Sequence, residues 1–381
     1  MISCKRSKFT LPKKVTYLNC AYMSPLLKTA EKVGIQNLRR KRNPSTILAE
    51  DFFTDGELLR KEFARLINTP DAKRIAIVPS VSYGMANVAR NLKIGRGEKI
   101  IVAAEQFPSN YYPWQRLCLE TGAVVQAVQP PIELSQRGAI WNERILSSID
   151  SNTRAVAIGN VHWADGTLFQ LEQIRKRTRE VGALLIVDGT QSVGVLPFDI
   201  KKIQPDALVC AGYKWLLGPY SIGLAYYGEY FDEGKPIEES WLNRMDSEDF
   251  SALVNYQPGY QSGALRYDVG EHSNFVLVTM LIKSIAQLNK WGIQNIQDYI
   301  KSITTPAIES LRERGYWVED EAYRGGHLFG LRMLRQDAQK IREVLNRNNI
   351  FVSQRGDAIR VAPNMYNDSK DMSRLVRALS F

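Results

Sequence analysis

Two residues 26 positions apart, Asp188 and Lys214, carry the strongest chemical signal in this chain. Asp188 lies in Leu184-Leu-Ile-Val-Asp188-Gly-Thr-Gln191-Ser192, and Lys214 lies in Cys210-Ala-Gly-Tyr-Lys214-Trp-Leu-Leu-Gly218-Pro219. An acidic residue at the carboxyl end of a buried strand opens into the crevice where α/β sheets bind ligands. A lysine in the loop after the next strand can reach the same crevice, and Ala211, Gly212, Gly218 and Pro219 let the backbone approach a ligand closely. Either residue alone reads as ordinary, a helix cap and a surface lysine. Together, with apolar neighbours that help lower the pKa of Lys214, they fit pyridoxal 5'-phosphate (PLP) chemistry. The amine forms an imine with the aldehyde and later moves protons. The carboxylate keeps the pyridine nitrogen protonated, so the ring can take up electrons from the substrate.

Such a pair needs a strand-rich scaffold. Short apolar runs predict buried strands at Ile75–Val78, Lys99–Ala103, Ala123–Ala127, Ala155–Ile158, Leu184–Val187, Ala207–Cys210 and Ile222–Ala225. Helical patterns lie between several of them, which implies an α/β domain with a mainly parallel, doubly covered sheet. The C-terminal part differs. It predicts two consecutive helices, Phe275–Trp291 and Ile293–Arg314, the second kinked or interrupted at Pro306. Short strands follow near 327–332, 350–353 and 358–361, and a last helix starts at about Ser369, so this part reads as a smaller α+β unit.

The bulk numbers narrow the class. At 381 residues the chain is long enough for a large and a small domain. No apolar run is long enough for a membrane span, and the basic N-terminus lacks the apolar stretch of a signal peptide. Cys4, Cys20, Cys118 and Cys210 show no metal-ligand spacing and read as free thiols in a reducing cytoplasm. The net charge of +10 is spread rather than striped, so nucleic-acid binding rests on charge alone. No GxGxxG follows an early strand, which argues against a dinucleotide site; the non-enzymatic alternative is an α/β ligand-binding protein without PLP.

Asp188-Gly-Thr-Gln191, Gly212-Tyr213-Lys214 and Gly218-Pro219 resemble the class V aminotransferase family of fold-type I PLP enzymes, which includes cysteine desulfurases, kynureninases and isopenicillin N epimerase-like proteins. The resemblance implies a seven-stranded, mostly parallel PLP domain, a small C-terminal domain, and a homodimer with active sites at the interface. It divides the chain into an arm (1–25), a large PLP-binding domain (26–270) and a small domain (271–381). The segment Pro79-Ser-Val81-Ser82-Tyr83-Gly84 follows a strand and opens a helix, so backbone N–H groups and the Ser82 hydroxyl would hold the phosphate. The resemblance implies that Phe107 stacks on the pyridine ring, that Asn160 and Gln191 contact its phenolic oxygen, and that Tyr213 contacts the phosphate. It also places His162 and Trp163 against the substrate, and Arg360 on the substrate α-carboxylate. Ala211 stands where some relatives carry a phosphate-binding hydroxyl.

The reaction stays open between amino transfer, placed first, a kynureninase-like or C–S lyase elimination, and epimerisation. Cys-dependent desulfurases of the family present a nucleophilic Cys shortly before the carboxylate-binding Arg. This chain has no Cys after Cys210, which argues against that activity.

Overall fold

The computed structural model describes residues 2–333 and 338–380. In chain order the elements are β1 (Thr16–Tyr17), α1 (Lys28–Arg40), α2 (Asp51–Leu66), β2 (Ile75–Val78), α3 (Val81–Asn91), β3 (Lys99–Ala103), α4 (Tyr112–Thr121), β4 (Val124–Val128), α5 (Arg137–Ser148), β5 (Thr153–Gly159), α6 (Leu171–Val181), β6 (Leu184–Asp188), α7 (Ile200–Ile203), β7 (Ala207–Ala211) and β8 (Gly223–Tyr227). Then come α8 (Leu277–Trp291), α9 (Ile293–Glu313), β9 (Tyr316–Trp317), β10 (Phe329–Met333), α10 (Ala338–Arg347), β11 (Ile350–Phe351), β12 (Ser353–Arg355), β13 (Ala358–Val361) and α11 (Ser369–Ala378).

The large sheet has seven strands in the order β2-β8-β7-β6-β5-β3-β4. Its central pairs are parallel, and β8 runs antiparallel to both of its neighbours. This is the seven-stranded, mostly parallel α/β architecture that the sequence resemblance implies. Strands covered on both faces should be apolar throughout, and the alternation sorts their side chains between two cores. Ile75, Ile77, Ile101 and Ala103 face one core, whereas Ala76, Val78, Ile100 and Val102 face the other.

A four-stranded sheet, β12-β13-β10-β9, carries a third core with α9 and α11. β1 pairs in parallel with β11, Thr16 opposite Ile350. Although α8 follows residue 270, it lies against α1 and α2 on the large-sheet side. Of the two expectations at Pro306, interruption is not met: α9 is one helix with Pro306 inside it. The proline removes one helical hydrogen bond, but buried Ile303, Ala307, Ile308 and Leu311 hold that face against the small sheet.

Candidate active site

Asp188 ends β6 at the carboxyl edge of the sheet. Because β8 returns antiparallel to β7, the connection between them must reverse over that same edge, and Lys214 sits in this reversal. Gly212 makes the reversal possible, since a Cβ there would come 2.5 Å from the Ile222 carbonyl oxygen. The loop is closed by Gly218 N–H donating to the Gly212 carbonyl at 2.9 Å. It is clamped by the N-terminal arm: the Ser24 N–H and hydroxyl both donate to the Tyr213 carbonyl, at 3.0 and 3.2 Å.

A cavity of about 280 Å³ opens at this edge. It brings together Val81, Ser82, Phe107, His162, Trp163, Asp188, Gln191, Tyr213 and Lys214 from the sequence reading. Lys214 is buried, with its Nζ 5.2 Å from the centre of the Phe107 ring and 5.4 Å from that of Tyr213. Burial, and after it the Arg360 guanidinium, push the lysine amine down to about 8 against the pull of Asp188. Burial likewise raises the Asp188 carboxyl, although its Oδ1 accepts the Thr190 N–H at 3.0 Å. Among the described residues this carboxylate has no ion-pair partner, only the electrostatic pull of Lys214, and a protonated ring nitrogen would supply one.

At the other end of the cavity, Ser80 caps α3. Its Oγ accepts the Tyr83 N–H at 3.1 Å and lies 2.9 Å from the Ser82 Oγ. No lysine or arginine other than Lys214 lines the cavity among the described residues, so helix N–H groups and hydroxyls would bind a phosphate there. Gly84 lets α3 sit close to the sheet: a Cβ at that position would meet Val209 at 2.6 Å. The residues present therefore fit PLP, with an amine for its aldehyde, a buried carboxylate for its ring nitrogen, an aromatic wall for its ring and a helix terminus for its phosphate.

Other residues sit differently from the expectation. Asn160 does not line the cavity; its neighbours Gly159 and Val161 do. Its backbone is spent bridging, with the N–H on the Asp188 carbonyl at 3.3 Å and the carbonyl accepting from Phe169 at 3.0 Å. Gln191 lines the cavity, but its amide is turned to structural partners. Its Nε2 donates to the Ala21 carbonyl at 3.1 Å, and its Oε1 accepts the Trp215 indole N–H at 2.9 Å. His162 is buried against Trp141 with its Nδ1 3.1 Å from Asp165 Oδ1, while the half-buried Trp163 packs edge-on against Phe107 at 5.4 Å.

Arg360 stands beside the cavity rather than in its wall. Its Nη1 donates to the Trp163 carbonyl at 2.7 Å, and its buried Nε and Nη2 have no partner among the described residues. Unpaired buried donors are costly, and a carboxylate would satisfy them. Burial and the neighbouring Arg355 lower this guanidinium to about 9. Sequence reasoning missed Ser80, Tyr220 and Ser221, which also line the cavity. Ser80 was findable as the N-cap before an apolar helix. Ser221, at φ +65°, gave no signal in a local reading.

A fold-type I scaffold with this site defines a PLP-dependent enzyme. The class V aminotransferase profile matches residues 41–380, and the chain belongs to that family. It is similar to an uncharacterized aminotransferase, YcbU, of Bacillus subtilis, 28% identical over 84% of this chain and 82% of the relative. It is also similar to a cysteine desulfurase of Shigella sonnei, 27% identical over 67% of this chain and 61% of the relative. Among solved structures, a C-DES variant with glycine covalently linked to its PLP cofactor superposes with a TM-score of 0.87 at 19% identity, covering 99% of both chains. A second C-DES structure, of this cystine C–S lyase with its product cysteine persulfide, superposes with a TM-score of 0.85 at 19% identity.

Proposed function

We propose that the enzyme moves the amino group of an amino acid, with Lys214 as the one base working at the substrate α-carbon. The observation that carries this reading is the content of the cavity wall. Among the described residues Lys214 is its only amine, and no cysteine lines it. The thiol that approaches the lysine loop is Cys20, whose Sγ is 3.8 Å from the Lys214 carbonyl oxygen. It is fully buried and pushed up to about 12, so it is a poor source of the thiolate that a Cys-dependent desulfurase needs.

Bound PLP supplies the electron sink for charge that develops at the substrate α-carbon. The chain's own residues do the rest. Asp188 would provide the counter-charge for the ring nitrogen, Phe107 would cover the ring, and the N-terminus of α3 with Ser80 and Ser82 would hold the phosphate. Arg360 grips the α-carboxylate and so turns the α-hydrogen toward Lys214. With its pKa near 8, the Lys214 Nζ can accept that proton near neutral pH and return it. Phe107 and Trp163 keep water from the reacting face.

Epimerisation by two bases would need a second acid–base group across from Lys214. His162 is engaged with Asp165, and burial pushes Tyr213 up to about 12, so neither is well placed for it. C–S elimination is the second reading, because Lys214 alone can remove the α-proton and the superposing C-DES is described as a C–S lyase. A spectral screen of amino acids on the holoenzyme tests the choice. Accumulation of the amino form of the cofactor supports transfer; oxoacid release without it favours elimination and rejects transfer.

The same reading takes the enzyme to be a cytoplasmic homodimer. Its support is four free cysteines and an exposed apolar segment, in which Met245, Val254 and Tyr256 are at least half exposed. Among the described residues no helix is long and apolar enough to cross a membrane.

A further inference from the structure

β12 and β13 form a tight hairpin in which Arg355 opposes Ala358 and Ser353 opposes Arg360. Directly opposed residues, and residues two apart on one strand, share a face of a sheet. The register therefore projects Arg355 and Arg360 from the same face. Both reach the Trp163 side chain, their Cζ atoms 5.4 and 6.0 Å from its ring centre, and Trp163 is a wall of the cavity. Both cations also act on the Lys214 amine, pushing it down.

Neither arginine has an acidic partner within ion-pair distance among the described residues. Arg355 donates from Nη1 to the Gln354 carbonyl at 2.7 Å, and its buried Nε is without a partner. The acidic groups nearby are already held: Asp357 pairs with Arg332, and Asp165 is shared by Arg137, Arg332 and His162. Asp188 faces Thr190 on the floor of the cavity. Arg355 and Arg360 thus stand together against Trp163 beside the cavity that holds Lys214, and among the described residues Asp188 is the one carboxylate in its wall. One α-carboxylate matches one guanidinium fork, so the second fork is left over. Clustered like charges without counter-ions are unfavourable, and a second anion on the substrate would offset that cost.

We propose that Arg355 is a specificity-determining residue that binds a second anionic group, so that the enzyme takes amino acids carrying a distal carboxylate. This rests on the amino-acid reading given above. Both Cζ atoms lie within 6.0 Å of one ring centre, so two carboxylates joined by a short carbon chain can engage both forks.

The test is a titration of the holoenzyme, followed by the visible band of its cofactor, with the matched pairs L-glutamate and L-glutamine, and L-aspartate and L-asparagine. Wild type is expected to bind the acid of one pair roughly 10- to 100-fold more tightly than its amide, the range for a hydrogen bond to a charged group. Arg355→Gln should bring that ratio close to one. Arg355→Lys, which keeps the charge but loses the fork, should leave an intermediate ratio. Retention of the cofactor band in both variants shows that the site still folds. Equal binding of acid and amide by wild type, or an undiminished preference in Arg355→Gln, overturns the role of Arg355. A wild-type band that responds to no amino acid, acid or amide, overturns the amino-acid reading itself and with it this inference.

Discussion

Lys214 is distinguished from the other lysines of the chain by its surroundings. Lys201 and Lys202 follow the capping Asp199 on the surface, and Lys235 is exposed, whereas Lys214 is buried beside Phe107 and Tyr213. Borohydride reduction of the holoenzyme should therefore leave a pyridoxyl group on Lys214 alone, read by peptide mapping. Lys214→Ala should lose the visible band and nearly all turnover; labelling at another lysine would remove the centre of the mechanism. Asp188 is tested separately. Asp188→Asn keeps the shape and the Thr190 contact but removes the counter-charge, so turnover should fall by roughly 100-fold or more while folding and cofactor retention persist. Full activity in that variant would dissociate Asp188 from catalysis.

At the level of elements, the segment after β9 and the start of α5 meet around a buried carboxyl. Glu319 is 2% exposed, its Oε2 lacks a hydrogen-bond partner among the described residues, and burial raises it to about 7 from an ordinary 4.5. A folded-state value above the unfolded one means that the folded chain binds more protons between those limits, so stability falls as pH rises from 4.5 to 7. Glu319→Gln keeps a neutral group of the same shape. It should melt at a higher temperature than wild type at pH 8, with the difference shrinking below pH 7 and gone below about pH 4.5. A difference that does not vary across this window would mean that Glu319 is not its source. Nearby, Asp165 ties α5 through Arg137 to β10 through Arg332, and holds the turn that carries His162 and Trp163.

The molecule as a whole places its cavity at the carboxyl edge of the large sheet; Ser24 clamps the Lys214 loop from outside the wall, and the β12–β13 hairpin stands beside it with Arg360 on the Trp163 carbonyl. Apolar surface in the 241–256 segment packs partly on α2, Phe52 against Trp241 and Phe250 at 6.2 and 5.5 Å, yet Val254 and Tyr256 stay 79% and 94% exposed. A monomer rarely leaves such a patch uncovered. Light scattering should give twice the chain mass of 43.2 kDa; a fully active monomer would reject the dimer.

The sequence by itself determined what depends on short-range order. Buried parallel strands are continuous apolar runs, so the strands of the large sheet could be located to within a residue or two. Asp188 and Lys214 were legible because each ends or follows such a strand, and a helix start within Pro79–Gly84 because start signals are local, although its cap, Ser80, was not singled out. Only the tertiary structure decided which polar groups face the cavity. Gln191 has a side chain suited to a ligand, but its amide bonds to Ala21 and Trp215, and Asn160 lies outside the cavity wall, both set by packing rather than by spacing. The convergence of Arg355 and Arg360 on Trp163 follows from hairpin register and from the docking of the small sheet. Pro306 stayed helical because long-range burial outweighed a local penalty. Hydrogen-bond and charge partners distant in sequence are chosen by the fold, and no window of neighbouring residues contains that choice.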